Sequence, residues 1–391
     1  MRIAYGPVQP FIAASRKTRD LKAGSDLLVD LGKEIVASLP SDTEFVFPAE
    51  RHMETANIVL VYVSEDPATI AHRAKLAAER FLVTEFDALR LDPWVDVAMA
   101  HNQLHRFLEF YAAWVPESDY IKDVQAVSRL LTARKGLREF GPAPSYPGIV
   151  KSSLLPEYEC VVKLDASNSV PKTTQSRLGI GKRETLDAVS LMKRLRGRAT
   201  FPSTREIAVR HLLASGLADD TVAKIKLILA DTPYEIGDAI FDVFDDLPDP
   251  NDRPLSVESR QKVRGLVGEV LKRNGFKEGQ KPSPYYAILH GDGDSMGKFL
   301  RGLATKDSQR AFSQVLSTEF SAKVGGIVER SHGVTVFAGG DDVLALLPAP
   351  TALNCAQQIR DLFEKVLTDF SKLQSLNFSP PTLTIGIAFC H

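Results

Sequence analysis

Two short acidic segments at strand ends constrain this chain more than any other feature. His290-Gly291-Asp292-Gly293-Asp294-Ser295-Met296-Gly297 follows a strand candidate at Tyr285–Leu289. Phe337-Ala338-Gly339-Gly340-Asp341-Asp342-Val343 joins two more, Val334–Ala338 and Val343–Leu347. Helical patterns at Ser295–Leu303, Gln309–Glu329 and Ala352–Leu373, with a last alternating strand at Thr382–Phe389, complete a β-α-β-β-α-β order. That order is the ferredoxin-like palm. In such a sheet the first and third strands are adjacent and central, so Asp292 is expected beside Asp341 and Asp342.

Crowded carboxylates repel and call for a cation. Every candidate ligand is an oxygen, which selects magnesium or manganese. Asp292, Asp341 and Asp342, with the Gly293 carbonyl, are the predicted ligands. Two such ions about 4 Å apart activate a 3′-hydroxyl and stabilise displaced pyrophosphate. Gly339 and Gly340 let backbone N–H groups approach phosphates. Asp294 is expected either as a ligand or as the cap of the helix starting near Ser295. A Gly-Gly-Asp-Asp turn is also a good hairpin by itself. The weight therefore rests on two acidic segments at strand edges of one module.

The first part of the chain reads similarly. A strand at Arg2–Tyr5 precedes a helix from Val8 to about Leu39, strands at Thr43–Phe47 and Asn57–Val63, and a helix at Asp66–Phe86. Another helix is expected from Val95 to Trp114. The texture changes after Gly141, where Pro and Ser are frequent, and helices follow at Glu184–Leu195, Thr204–Ser215 and Asp220–Leu229. The fold class predicted is α+β: a palm over residues 1–140, a loop-rich and helical middle over 141–280, and a catalytic palm over 281–391. Residues 176–210 hold nine Lys/Arg against three Asp/Glu, while 230–252 hold eight Asp/Glu and no Lys/Arg. Either run is solvated surface, or the basic one contacts RNA or a subunit. The formal net charge of −1 excludes coating of nucleic acid by overall basicity.

Three sequence blocks resemble the large polymerase/cyclase subunit of type III CRISPR effector complexes, in its Cmr-type branch. They are GPVQPFIAASRKTRDLKAGSDLL at 6–28, GKRETLDAVSLMKRLRGRATFPSTREIA at 181–208, and the DGDSMG and AGGDDVLALLP pair. The resemblance implies synthesis of cyclic oligoadenylate from ATP in an antiviral complex, switched on when target RNA pairs with guide RNA. It implies other Cmr-type subunits as partners and Asp292, Asp341 and Asp342 as catalytic groups. It also implies that Gly24 and Ser25 lie near a second ATP, although Arg16, Lys17, Arg19 and Lys22 can equally face water. Many relatives begin with a histidine-aspartate nuclease domain and continue past the second palm into a helical domain. No His-Asp dipeptide occurs here and the chain ends at Phe389-Cys390-His391, so neither domain is expected. A single middle-domain cysteine, Cys160, makes the family's zinc site doubtful.

Other features carry less. His101 and His105 have metal-compatible spacing but lack a zinc-protease glutamate between them, and they read as packing or surface. His290 reads as a strand-end residue and Cys390 as a small buried apolar one. No apolar run suits a membrane span, no signal peptide is visible, and three scattered cysteines suit a reducing cytoplasm. Two other functions fit part of the pattern: a stand-alone GGDEF-like cyclase using GTP, and a non-catalytic scaffold subunit.

Overall fold

The computed structural model describes residues 1–54, 57–137, 146–197, 201–214, 219–232, 234–243 and 255–391. The Pro-rich stretch at 138–145 and the acidic loop at 244–254 lie outside them. Strands β1 (Arg2–Gly6), β2 (Glu44–Phe47), β3 (Ile58–Tyr62) and β4 (Glu109–Ala113) form an antiparallel sheet in the order β2-β3-β1-β4. Helices α1 (Gln9–Ala13), α2 (Thr18–Ala37), α3 (Pro67–Asp87), α4 (Val97–Phe107) and α5 (Tyr120–Gly136) surround it. In α3 the buried residues Ile70, Ala74, Ala78, Leu82 and Phe86 fall every fourth position and form one stripe. Its start is set by Pro67 and by Asp66, whose carboxylate accepts the Thr69 N–H at 2.9 Å.

Two readings of this region are corrected. The helix expected from Val8 to Leu39 is two helices, because the chain turns between Ala13 and Thr18. The free carbonyls of Phe11 and Ala14 accept the Lys193 ammonium there, both at 2.6 Å. The helix expected to reach Trp114 ends at Phe107. Leu108 is extended, and Glu109–Ala113 pairs with β1 as an edge strand. The first palm therefore has its fourth strand.

The middle contributes α6 (Lys172–Leu178), α7 (Ala188–Arg196), α8 (Thr204–Leu213), α9 (Asp219–Leu229), α10 (Ile236–Ile240) and α11 (Val257–Arg273). One apolar core runs continuously from Met1 to Met192, so α7 and the strap before it pack with the first palm. Helices α8 to α11 gather around their own core, with Val209, Ile225, Ile236 and Val263 inside.

The second palm is β5 (Tyr286–Gly293), α12 (Met296–Gly302), α13 (Lys306–Val315), a π-helical turn at Leu316–Ser321, α14 (Ala322–Arg330), β6 (Val334–Gly339), β7 (Asp342–Pro348), α15 (Ala352–Leu373) and β8 (Leu383–Cys390). Its order, β6-β7-β5-β8, repeats that of the first sheet. The first and third strands are central, as the sequence predicts, and the α+β class with two palm sheets holds. The palms clasp each other reciprocally: β2 lies against α13, and β6 lies against α2. Tyr120 Oη donates to Gln309 Oε1 at 2.7 Å, and Arg310 Nε donates to the Ala49 carbonyl at 3.0 Å across this joint. On the other face of the second sheet, Ile207 of α8 packs with Val336 and Leu346.

The basic block behaves unlike a solvated face at its centre. Lys193 and Arg194 are both fully buried. Arg194 donates to Asp20 (Nε to Oδ1, 2.9 Å) and to Glu184 (Nη2 to Oε1, 2.6 Å). Arg196 pairs with Asp30 at 2.7 Å and Glu85 at 2.6 Å. Arg194 and Arg196 are thus neutralised within the fold, and the Lys193 ammonium is held by backbone carbonyls. Cys390 is half-exposed on the edge strand β8 rather than buried. No helix among the described residues is long and apolar enough to cross a membrane.

Candidate active site

The site lies where β5 and β7 end together. Gly291 faces Val343 across the ladder, and Gly339 faces Asp342 at the mouth of the β6–β7 hairpin. Gly340 turns that hairpin with φ +62°, a left-handed value that glycine adopts without strain. The Ser321 hydroxyl donates to the Gly340 carbonyl at 3.2 Å and fixes the turn against the π-helical segment.

This register brings Asp292, Asp341 and Asp342 together. Asp292 is exposed at the strand end, and its carboxyl is in hydrogen-bonding contact with that of Asp342. Burial, then the negative charges of Asp341 and Asp292, push the Asp342 carboxyl up to about 6. Burial and Asp292 also raise Asp341, partly offset by hydrogen bonds from its own backbone N–H and that of Gly293. Groups that resist losing their protons beside one another supply a place for positive charge. Gly293 completes the cradle: a Cβ there would sit 2.6 Å from Asp341 Oδ2 and 2.7 Å from Met296 Cγ.

Asp294 points elsewhere. Its carboxylate accepts the hydroxyls of Thr382 at 2.7 Å and Thr384 at 2.9 Å, and its N–H donates to the Thr382 carbonyl at 2.8 Å. It therefore ties the acidic loop to β8, and α12 begins at Met296 with no side-chain cap from Ser295. Thr382, Thr384 and Ser321 were not singled out from sequence. The alternate spacing of the two threonines on a strand was the available signal. Gly24 and Ser25 are both buried in α2. A Cβ on Gly24 would meet Lys193 Cδ at 3.0 Å, and Ser25 is 5% exposed. His101 pairs with Asp87 at 2.6 Å and makes an edge contact with Phe86, a packing role, while His105 is exposed. His290 lies within β5 between Leu344 and Gly386.

The donors at the site are all oxygens, which suits a hard divalent ion. Among the described residues, no three His, Cys, Asp or Glu side chains close into a ready metal cage. The aspartates fit such an ion by donor type, proximity and unmet negative charge.

Two palm sheets of equal strand order, the second carrying acids at the ends of its central strands, define a double-palm protein. A family profile described as the N-terminal domain of the CRISPR-associated protein Cmr2 matches residues 1–118, and one described as the second palm domain of Cas10/Cmr2 matches residues 285–391. The chain belongs to the Cas10/Cmr2 family. The CRISPR system Cmr subunit Cmr2 of Pyrococcus furiosus is 33% identical over 150 residues, covering 32% of this chain and 17% of that protein. Two cryo-EM structures of the type III-B Cmr-beta complex contain a chain of similar fold, each with a TM-score of 0.58. In the apo state the identity is 14%, with 93% of this chain and 61% of that chain covered. In the state bound to cognate target RNA the identity is 13%, with 93% and 62% covered. The chain thus spans a small part of the curated relative and under two thirds of the structural ones.

Proposed function

We propose that the second palm is a metal-dependent nucleotidyltransferase that joins ATP into cyclic oligoadenylate, within a type III effector complex of the Cmr kind. The observation that carries this reading is the meeting of Asp292, Asp341 and Asp342 at the paired ends of β5 and β7. These carboxylates would hold magnesium or manganese, which would supply Lewis-acid activation of a 3′-hydroxyl and neutralise charge on the leaving pyrophosphate. Asp292 and Asp342 would hold such an ion at the end of the sheet. Asp341, whose carboxyl accepts the Gly293 N–H, would hold it with them. The hairpin at Gly339-Gly340 leaves backbone within reach of a triphosphate, since a Cβ at either glycine would meet nothing within 4 Å. Guide and target RNA and the other Cmr-type subunits act as partners, with target pairing as the trigger.

The test supplies ATP, magnesium or manganese, partner subunits, guide RNA and target RNA. Oligoadenylate should form only with target, and Asp341→Ala with Asp342→Ala should abolish it while the complex still assembles. Turnover of GTP alone would favour a GGDEF-like cyclase. RNA binding without any product would favour a scaffold.

A further inference from the structure

The first palm carries a groove at the end that corresponds to the acidic end of the second. β1 finishes at Gly6 opposite Glu109 of β4, as β5 finishes at Gly293 opposite Leu383 of β8. The chemistry at the two ends is opposite. Where the second palm gathers three aspartates, the groove of about 960 Å³ in the first is lined by Lys75, Arg106, Arg134 and Lys135, with Glu109 the one carboxylate among the described residues that line it. His72 and His105 stand among them. Among the described residues, neither Arg106 nor Lys135 has an ion-pair partner, and both are exposed.

The groove also contains aromatic side chains. It follows β4, an outer strand of its sheet, and Phe110, Tyr111 and Trp114 all line it. Trp114 is 40% exposed. Arg106 and Lys135 occupy the last turns of α4 and α5, where cations also complement the helix dipoles. That role accounts for the charge but leaves an exposed tryptophan in the same groove unexplained. Rings that offer flat faces, set among cations, match the two parts of a nucleotide: base on aromatic, phosphate on Lys or Arg. The volume lies at the upper end of the range of about 300–1,000 Å³ for small-molecule pockets, and the groove is open along the strand, which suits a strand better than one enclosed ligand.

We infer that this groove binds a short stretch of single-stranded RNA, stacked on Trp114 and held through its phosphates by Arg106 and Lys135. The site needs no metal and shares no residue with the Asp292–Asp342 end, so it stands or falls apart from the catalytic reading.

The test uses the full chain with Trp94→Phe, which leaves Trp114 as the only tryptophan reporter. A short labelled single-stranded RNA should bind by fluorescence anisotropy and quench Trp114. Arg106→Glu with Lys135→Glu should weaken binding at least about tenfold. The same pair should flatten the log–log salt slope by about 1.4, from two phosphate contacts at about 0.7 each. Circular dichroism melting checks that the double variant is folded. Trp114→Leu should weaken binding at unchanged salt slope, since it removes stacking and no charge. Unchanged affinity in the Arg106/Lys135 variant would overturn the proposal. So would quenching of Trp114 by ATP but not by RNA, or equal competition by polyglutamate, which would mark a nucleotide pocket or an acidic-peptide site instead.

Discussion

Gly293 shows how narrowly the acidic end is built. Its missing Cβ is the space that Asp341 occupies, because an added atom would lie 2.6 Å from Oδ2 and 2.8 Å from the Asp341 Cβ. Gly293→Ala should leave the sheet intact and displace the carboxylate. A shift of about 1 Å at a reacting group lowers rates on the order of a hundredfold. Oligoadenylate synthesis should fall by that order with an unchanged melting midpoint, and wild-type rates in the variant would remove Asp341 from the reaction. Glu206 offers a residue-scale test of opposite character. Its carboxylate accepts the Gly237 N–H at 2.8 Å and joins α8 to α10. Burial, with Glu235 nearby, raises its pKa above the usual carboxylate value. A raised carboxyl contributes stability that is complete below its unfolded pKa and is lost as pH rises through the folded one. Glu206→Gln keeps the acceptor and removes the charge. It should raise the melting midpoint at pH 8 and leave it nearly unchanged at pH 4, measured by scanning calorimetry.

At the scale of elements, the buried Arg194 ties α7 to the start of α2 and to the strap carrying Glu184. Asp20 is 1% exposed and Glu184 5% exposed, so neither carboxylate can turn to water. Arg194→Met leaves Asp20 buried without its guanidinium and Glu184 with only the distant Arg16 at 4.0 Å, a change that costs about 3–5 kcal/mol. Burial alone would raise Glu184; the Arg194 guanidinium outweighs it and holds the carboxyl below its usual value. Its contribution is therefore present above about pH 4.3 and is lost as the pH falls further. The wild type and variant should differ most near neutrality in urea titrations and converge in acid. This contact also explains what the sequence hid. Asp20 and Arg194 are 174 positions apart, and nothing local distinguishes a buried Arg in a basic run from a solvated one. β4 was hidden differently. A single extended residue, Leu108, separates it from α4, and its Phe110-Tyr111 pair was absorbed into the helical pattern. The second palm was legible because its signals are local: alternating strands, a glycine hairpin and carboxylates within a few residues of each turn. The Asp294 clamp was not, since its threonines lie 88 and 90 positions away.

Across the whole molecule, the two sheets share an architecture but are buttressed differently. The first palm absorbs α7 and its strap into one core from Met1 to Met192. The second palm covers one sheet face with its own helices and the other with α8 of the middle and Leu21 of α2. Ile207 is the centre of that second contact, fully buried against Val336 and Leu346 on the two strands of the acidic hairpin. A strand pair held from behind by a separate helical core gives the middle a direct mechanical hold on Asp341 and Asp342. Ile207→Ala should remove about 2–5 kcal/mol of packing at this joint. The loss should be local: amides of β6 and β7 should exchange faster with deuterium, while β1 and β3, sealed in the other core, keep their protection. Synthesis should fall in step with the exposure of β7, because a looser hairpin spends less time with its carboxylates beside Asp292. Equal deprotection of both sheets would mean that the palms open as one unit. Unchanged exchange in β6 and β7 would mean that α8 covers the sheet without supporting it.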